Sequence, residues 1–293
     1  MYTINQTQEN GLNYVQIVGA NASAKICLDR GVALEELVLN QIPVIVDLNP
    51  LEYKDTYASS ILFPFANRIK DGKYDYKGKT FQLDCNEANL NNALHGLVYD
   101  KLFTVKNSKT SENSASVILE YVETNKAVGF PYLFTVTVTY TLTQNGLALQ
   151  LGVENNDVTS FPFTLGWHPY FLSDDLYNSS LIFSSNKSVE FDERMITKNI
   201  VEGEVAMPLE IKDKQLDNCY ALDKSAVVFA TPKYKMTIDS TAKENFFQMY
   251  TPPKANTIAL EPVTGVSNSL NNQMGVQELS AGASYEITWT VTI

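Results

Sequence analysis

The chain has 293 residues, of which 44% are hydrophobic and 19% charged. This is the composition of a globular protein with enough apolar material for a large core. The formal net charge is −11, which argues against binding to nucleic acid or to an anionic membrane surface, because both need clustered lysine and arginine. Only three arginines occur, Arg30, Arg68 and Arg194. Because phosphate sites usually use arginine, this scarcity favours neutral substrates.

The cysteines and the first residues indicate the compartment. Cys27, Cys85 and Cys219 form no CxxC pair and no zinc pattern with the two histidines, so we expect free thiols and no metal. The first six residues lack the basic start and apolar stretch of a signal peptide. The longest aliphatic run, residues 42–46, is too short to span a bilayer. We therefore predict a cytoplasmic protein.

Short runs in the first half of the chain have the periodicity of strands. Strands are predicted at 14–18, 24–28, 73–76, 80–83 and 117–122. Residues 31–39 fit a short helix about as well as a strand.

The clearest strand pair covers residues 134–142 and 147–153. In the first strand apolar residues alternate with threonine, and Asn145-Gly146 between the two strands is a strong hairpin signal. Further strands are predicted at 226–230, 234–239, 246–250, 257–261 and 285–293. Because no segment of 12 or more residues carries a convincing helical stripe, we predict one all-β domain over residues 1–293, a large antiparallel β-sandwich or a barrel.

The two histidines are candidates for acid–base chemistry, because imidazole exchanges a proton near neutral pH. His95 lies in Leu94-His95-Gly96, and His168 lies in Gly166-Trp167-His168-Pro169-Tyr170-Phe171. The alternative for either one is a structural histidine. Pro169 biases His168 toward an extended backbone, so we expect its side chain to project from a sheet face.

Two acidic residues are further candidates. Glu261 precedes Pro262 at the predicted end of an apolar strand, where a carboxylate is unusual without a purpose or a partner. The alternative is an ordinary strand-end carboxylate. Asp217, in Leu216-Asp217-Asn218, is a candidate whose alternative is a turn residue.

Polar side chains that could contact a sugar complete the set. Gln248 is predicted to share a strand face with Phe246 and Tyr250, an arrangement common in sugar contacts; a core amide is the alternative. Asn67 and Arg68 could form a polar fork for ligand hydroxyls. The alternative for Arg68 is a salt bridge at a strand edge, because an unpaired buried charge is costly.

Taken in order, these segments resemble the aldose 1-epimerase family, also called galactose mutarotases. The resemblance covers nearly the whole chain. It rests on Asn67-Arg68, Gly72-Lys73-Tyr74, Tyr76-Lys77-Gly78-Lys79, Leu94-His95-Gly96, Gly166-Trp167-His168-Pro169-Tyr170-Phe171, Leu216-Asp217-Asn218-Cys219-Tyr220, Phe247-Gln248-Met249-Tyr250 and Leu260-Glu261-Pro262.

The resemblance implies a galactose mutarotase-like supersandwich with no metal or organic cofactor. It implies that Glu261 is the general base and His168 the general acid, and that His95 assists them. The remaining matched positions would hold sugar hydroxyls and the ring oxygen; they are Asn67, Arg68, Asp217 and Gln248.

The implied activity is interconversion of the α and β anomers of free aldoses, by a monomer or homodimer whose partner is the small-molecule sugar. Two alternatives remain open: a hexose-6-phosphate 1-epimerase, and a non-catalytic sugar-binding module on the same fold. A glycosidase fits least well, because it would need a carboxylate pair flanking the scissile bond.

Overall fold

The computed structural model describes residues 1–293, and strands make up nearly all of the regular structure. The strands before residue 100 are β1 (Thr3–Glu9), β2 (Leu12–Val18), β3 (Ser23–Cys27), β4 (Ala33–Leu39), β5 (Ile42–Ile45), β6 (Ile61–Leu62), β7 (Arg68–Lys70), β8 (Lys73–Tyr76), β9 (Lys79–Gln82) and β10 (Asn92–Leu94). Those of the middle are β11 (Thr104–Thr110), β12 (Ser114–Glu123), β13 (Phe134–Thr143), β14 (Gly146–Asn155), β15 (Phe161–Phe163), β16 (Gly166–Trp167), β17 (Tyr170–Leu172), β18 (Ser180–Ile182) and β19 (Lys187–Phe191). The last are β20 (Thr197–Glu202), β21 (Leu209–Glu210), β22 (Asp217–Ala221), β23 (Val227–Ala230), β24 (Lys235–Ser240), β25 (Phe246–Tyr250), β26 (Thr257–Val263), β27 (Gln277–Leu279) and β28 (Ser284–Thr292). The helical segments are α1 (Tyr53–Thr56), α2 (Ser269–Asn272) and a 3₁₀ turn at Leu176–Asn178.

Three large antiparallel sheets organise these strands. The first runs β1-β2-β3-β4-β5, and the second, with nine strands, runs β11-β12-β13-β14-β28-β24-β23-β18-β21. The third, with eight strands, runs β20-β19-β22-β25-β26-β16-β6, and β17 also pairs with β26. The pairs β7–β10, β8–β9 and β15–β27 form small two-stranded ribbons. The predicted antiparallel, all-β fold is confirmed.

The predicted strands are present, and the ambiguous stretch 31–39 is a strand, β4. Sequence periodicity missed the edge strands β1, β11 and β20. Most residues of these strands are exposed or only partly buried, so they lack the alternation that identifies a half-buried strand.

One main core of 60 buried residues draws side chains from all three large sheets. Along β13, Phe134, Val136, Val138 and Tyr140 point into it, as the alternation with threonine predicts. The third sheet contributes one face only. Phe247, Met249, Ile258 and Leu260 belong to the core. Since successive side chains alternate across a strand, their neighbours in β25 and β26 face away from it.

The loop that carries His95 is held by a close backbone approach. Gly96 has φ of +78° and bridges to Phe63, so that a Cβ at Gly96 would overlap the Phe63 carbonyl oxygen. Gly78 also has a positive φ, +73°, but nothing lies within 4 Å of the point that a Cβ would occupy there. Both positions favour glycine for their backbone angle, and only Gly96 also for space.

Gly96→Ala is therefore expected to destabilise the protein more than Gly78→Ala. A non-glycine residue at positive φ costs about 1–3 kcal/mol at either site, and forcing a methyl group against the Phe63 backbone adds about 1–3 kcal/mol at Gly96. Urea unfolding of the two variants and the wild type measures the difference. If both variants lose the same free energy of unfolding, the loop can shift at Gly96 to accommodate a methyl group at little cost.

Candidate active site

The third sheet brings the acid and amide candidates together on the face turned away from the core. The β25–β26 pairing places Gln248 directly opposite Glu261, and the β22–β25 pairing places Cys219 opposite Gln248 and Asp217 opposite Tyr250. Gln248 and Glu261 are both buried. Strand register thus brings Asp217, Gln248 and Glu261 onto one surface, although Asp217 and Glu261 are 44 positions apart in the sequence.

Two local predictions need correction. His168 does not lie on a strand; it occupies the break between β16 and β17, both of which contact β26. Glu261 is not at a strand end, because β26 continues through Pro262 to Val263. The Leu260 N–H donates to the Pro169 carbonyl, so backbone alternation turns the Pro262 nitrogen toward the same break. There its missing N–H interrupts no regular ladder.

The break in the sheet aims His168 at Glu261. His168 Nε2 lies 3.4 Å from Glu261 Oε1, a contact longer than a good hydrogen bond. The His95 ring packs edge-on against the His168 ring with centroids 5.0 Å apart, and Tyr170 stacks on His168 at 5.1 Å. The structure therefore places both histidines and the predicted base in one buried cluster.

His95 is positioned by backbone geometry. Both His95 and Asn67 have left-handed φ angles, 62° and 59°, and the His95 N–H donates to the Asn67 carbonyl at 2.9 Å. Asn86 clamps the residue before His95: its side chain accepts from the Leu94 N–H at 2.7 Å and donates to the Leu94 carbonyl at 3.0 Å. Tyr57 packs against the His95 ring at 4.9 Å.

Gln248 and Asp217 form a hydrogen-bonded pair. Gln248 Nε2 donates to Asp217 Oδ1 at 2.8 Å, which fixes the amide. Asp217 begins strand β22, so the turn alternative for it is wrong. Gln248 does not fully fit the alternative of a satisfied core amide. Its Nε2 is hydrogen-bonded, but its Oε1 is buried without a partner.

Arg68 makes the salt bridge that was the alternative to ligand binding. Its Nε and Nη2 donate to the Glu87 carboxylate at 2.8–3.1 Å, while Nη1 donates to Asn67 Oδ1 at 3.3 Å. Sequence analysis missed Glu87, which lies in an acidic, asparagine-rich loop with no apolar pattern around it. The ion pair uses only part of the guanidinium, which has five N–H groups.

Three buried polar atoms in this cluster have no hydrogen-bond partner within the protein. They are His95 Nδ1, His168 Nδ1 and Gln248 Oε1. Buried polar groups in folded proteins are nearly always hydrogen-bonded, and each exception calls for an explanation. Three exceptions in one cluster make it the candidate ligand site of the chain.

Burial also sets the protonation states. Desolvation raises the pKa of Glu261 well above its usual range; the Asp217 charge adds to this and Arg68 opposes it. Desolvation lowers the pKa of His168 to about 4, and it lowers the pKa of His95 well below the usual range. Desolvation therefore favours the uncharged form of both imidazoles and of the Glu261 carboxyl group.

Apolar clusters on both sides explain this desolvation. Along β26, Glu261 lies between Ala259 and Val263, which share its face. Ala259 packs with Leu48 and Tyr170, and Val263 belongs to a separate cluster of seven buried residues. The polar groups are thus enclosed in a surface of low polarity, where electrostatic interactions are strong.

Other sites are few. No group of three or more His, Cys, Asp or Glu side chains is arranged to hold a metal ion. The three cysteines are free thiols, as expected. No helix of the chain has the length and apolarity that a membrane crossing requires.

Glu261→Gln is expected to stabilise the fold increasingly as pH rises above about 4.3, the ordinary value for Glu. Above that pH the unfolded chain releases the Glu261 proton and the folded protein retains it, so wild-type stability falls until the raised pKa is passed. Glutamine carries no such penalty. Thermal unfolding of both proteins at pH 5 and pH 8 measures the gap. A gap that shrinks at pH 8 would show that the folded protein accommodates the ionised carboxylate well.

Comparison with known proteins identifies the family. Residues 15–291 match the family model described as aldose 1-epimerase. The chain is 21% identical over 273 residues to the Escherichia coli protein YihR, covering 89% of this chain and 87% of that one. It is 29% identical over 136 residues to a maltose epimerase from Levilactobacillus brevis, covering 45% and 39%.

Solved structures share the fold. A galactose mutarotase-like protein from Clostridium acetobutylicum superposes with a TM-score of 0.86 at 18% identity, covering 99% of this chain and 97% of that one. A galactose 1-epimerase from Lactobacillus acidophilus superposes with a TM-score of 0.81 at 15% identity, covering 100% and 98%. The family model spans every residue of the buried cluster, and the chain belongs to the aldose 1-epimerase family.

Proposed function

We propose that this protein interconverts the α and β anomers of free aldoses by general acid–base catalysis. The observation that carries the proposal is the buried contact of 3.4 Å between His168 and Glu261, with His95 and Gln248 beside it. A carboxyl group and an imidazole in contact form a proton donor and a proton acceptor of the kind the reaction needs.

Mutarotation opens a cyclic hemiacetal and recloses it on the opposite face. Glu261 takes the proton from the C1 hydroxyl while His168 protonates the ring oxygen as the C1–O5 bond breaks. The open aldehyde rotates about C1–C2, and the two residues then exchange roles. His95, next to His168, orients the sugar and polarises the ring oxygen. No covalent intermediate forms.

The shared proton of the pair suits this sequence of steps. In the free protein burial favours the proton on Glu261 over the proton on His168, because it disfavours both charged forms. Its transfer to His168 across the 3.4 Å contact produces the carboxylate base and the imidazolium acid together. The total charge of the site does not change, so the exchange costs less in a desolvated surface than a net gain of charge.

The binding groups favour a neutral ligand rich in hydroxyls. The unpartnered Gln248 Oε1 accepts from a hydroxyl, and Asp217 offers carboxylate oxygen beside it. The free N–H groups of Arg68 donate, and Asn67 lies next to them.

A sugar phosphate has less support, because the arginines and the lysines that follow Arg68 are engaged in ion pairs or exposed. Glu87 neutralises Arg68, and Lys77 pairs with Glu278 at 2.8 Å. Arg30 and Arg194 pair with Glu35 and Asp71. Lys70, Lys73 and Lys79 are exposed.

The protein is expected to accelerate the optical equilibration of freshly dissolved α-D-glucose, α-D-galactose or maltose in a polarimeter. Glu261→Gln should reduce the rate by roughly 10²–10⁴-fold, the contribution typical of a general base, because glutamine keeps the shape but cannot accept a proton. Glu278→Gln, which changes an exposed carboxylate of an ion pair, should retain the wild-type rate.

Two results would argue against this proposal. If no aldose in a broad panel equilibrates faster than in buffer while calorimetry detects sugar binding, the protein is a binding module. If Glu261→Gln keeps the wild-type rate, Glu261 is not the base.

Free hexoses are expected to be better substrates than hexose 6-phosphates. A dianionic phosphate approaching a protein of net charge −11 needs a local cationic clamp. The measurement compares kcat/KM for glucose and glucose 6-phosphate at low and moderate salt. A clear advantage for the phosphorylated sugar that weakens as salt rises would assign the protein to sugar-phosphate epimerisation instead.

A further inference from the structure

Arg68 is held at one edge by a carboxylate outside the cluster. The Glu87 oxygens accept from both Nε and Nη2 of Arg68, the two-point geometry that fixes the plane of a guanidinium. Both side chains are largely buried, with 17% and 11% of their surface exposed. The bidentate contact does not use Nη1 of Arg68, which faces Asn67.

Glu87 is itself held by a buried amide. Asn92 is fully buried and its Nδ2 donates to Glu87 Oε2 at 2.8 Å. Asn92 Oδ1 in turn accepts from Arg194 Nη2 at 3.1 Å, and Asn92 Nδ2 also donates to the Arg194 carbonyl at 3.1 Å. The Asn92 side chain thus links Arg194 to Glu87.

Arg194 connects this loop to the third sheet. It lies in the turn between β19 and β20, and its side chain donates to Asp71 Oδ1, to the Leu90 carbonyl and to the Asn91 carbonyl at 2.8–2.9 Å. Two of the three arginines thus take part in one continuous chain of hydrogen bonds, Arg194–Asn92–Glu87–Arg68. Each step of this chain is a contact between two side chains.

We propose that Glu87 is a positioning residue, and that Arg194 acts through Asn92 to fix Glu87 so that Arg68 presents its free N–H groups to a sugar hydroxyl. This rests on the proposed function only in assigning a sugar to the site. Glu87 also offsets part of the Arg68 charge, so the attraction of Arg68 for anions is weakened while its N–H groups remain hydrogen-bond donors. Removing such a supporting partner loosens the group that it orients.

The test is a double-mutant cycle with Glu87→Gln, Arg68→Gln and the double variant, measured as KM and kcat for the best aldose substrate. Glu87→Gln is expected to raise KM on the order of tenfold, the lower end of what losing an outer-shell partner costs at a metal site. The change in kcat should be smaller, because Arg68 acts in binding. In the Arg68→Gln background Glu87→Gln should change KM by less than about twofold, because the guanidinium that Glu87 orients is then absent.

Arg194→Gln gives an independent variant if Glu87→Gln folds poorly. It should raise KM in the wild-type background and have no further effect beside Arg68→Gln. Glu278→Gln, which removes a carboxylate from an exposed ion pair, is the matched control and should leave KM unchanged.

Either of two results would overturn the proposal. One is that Glu87→Gln raises KM by the same factor in the wild-type and Arg68→Gln backgrounds; the other is that Glu87→Gln and Arg194→Gln both keep the wild-type KM. Its failure is distinct from failure of the proposed function. If the wild-type protein binds sugar without catalysing mutarotation, the same cycle measured as Kd for galactose by calorimetry decides whether Glu87 positions Arg68.

Discussion

The constraint on which the site depends is the burial of one carboxylate on the outer face of a sheet. Glu261 lies between Ala259 and Val263 on β26, and across from it Gln248 lies between Phe246 and Tyr250 on β25. Apolar neighbours on that face remove water from the polar pair. The opposite side chains of the same strands pack into the main core, so the site cannot move without disturbing the core. The fold thus supplies both the rigidity and the low polarity of the site.

The same desolvation has two consequences. It favours the uncharged forms of the carboxyl and imidazole groups, and hydrogen bonds from a ligand would shift that balance. This burial lowers the stability of the fold. Glu261 keeps its proton in the folded protein at a pH where the unfolded chain has already released it. Natural proteins accept such local costs at functional sites and compensate elsewhere.

The groups around the carboxylate are supported in two different ways. Sheet register fixes Gln248 and Glu261, while His95 lies in a loop at a left-handed backbone angle and Arg68 begins the short strand β7, outside the three large sheets. His95 and Arg68 are therefore also held by side-chain hydrogen bonds. Asn86 serves His95, and Glu87 serves Arg68.

Sequence by itself determined the fold class and the identity of the chemical groups. The alternation in β13, β14 and β28 identified half-buried strands, because a two-residue period reports the side that faces the core. The ordered segments around His95, His168 and Glu261 predicted membership of the aldose 1-epimerase family, and the family match confirmed it. Whether the seven predicted site residues act as proposed stays a prediction, although the structure brings them into one region.

Tertiary structure decided everything that depends on partners distant in sequence. The position of His168 in the break between β16 and β17 depends on their shared neighbour β26, about 90 residues further along the chain. Glu87 could not be identified from its loop, because an exposed loop and a loop with a buried ion pair can have the same acidic composition. Only the contacts with Arg68 and Asn92 distinguish them. Periodicity records which face of an element is apolar, but it contains no information about which element lies opposite. Contacts between loops, and the pKa shifts that burial causes, arise only when the chain has closed on itself.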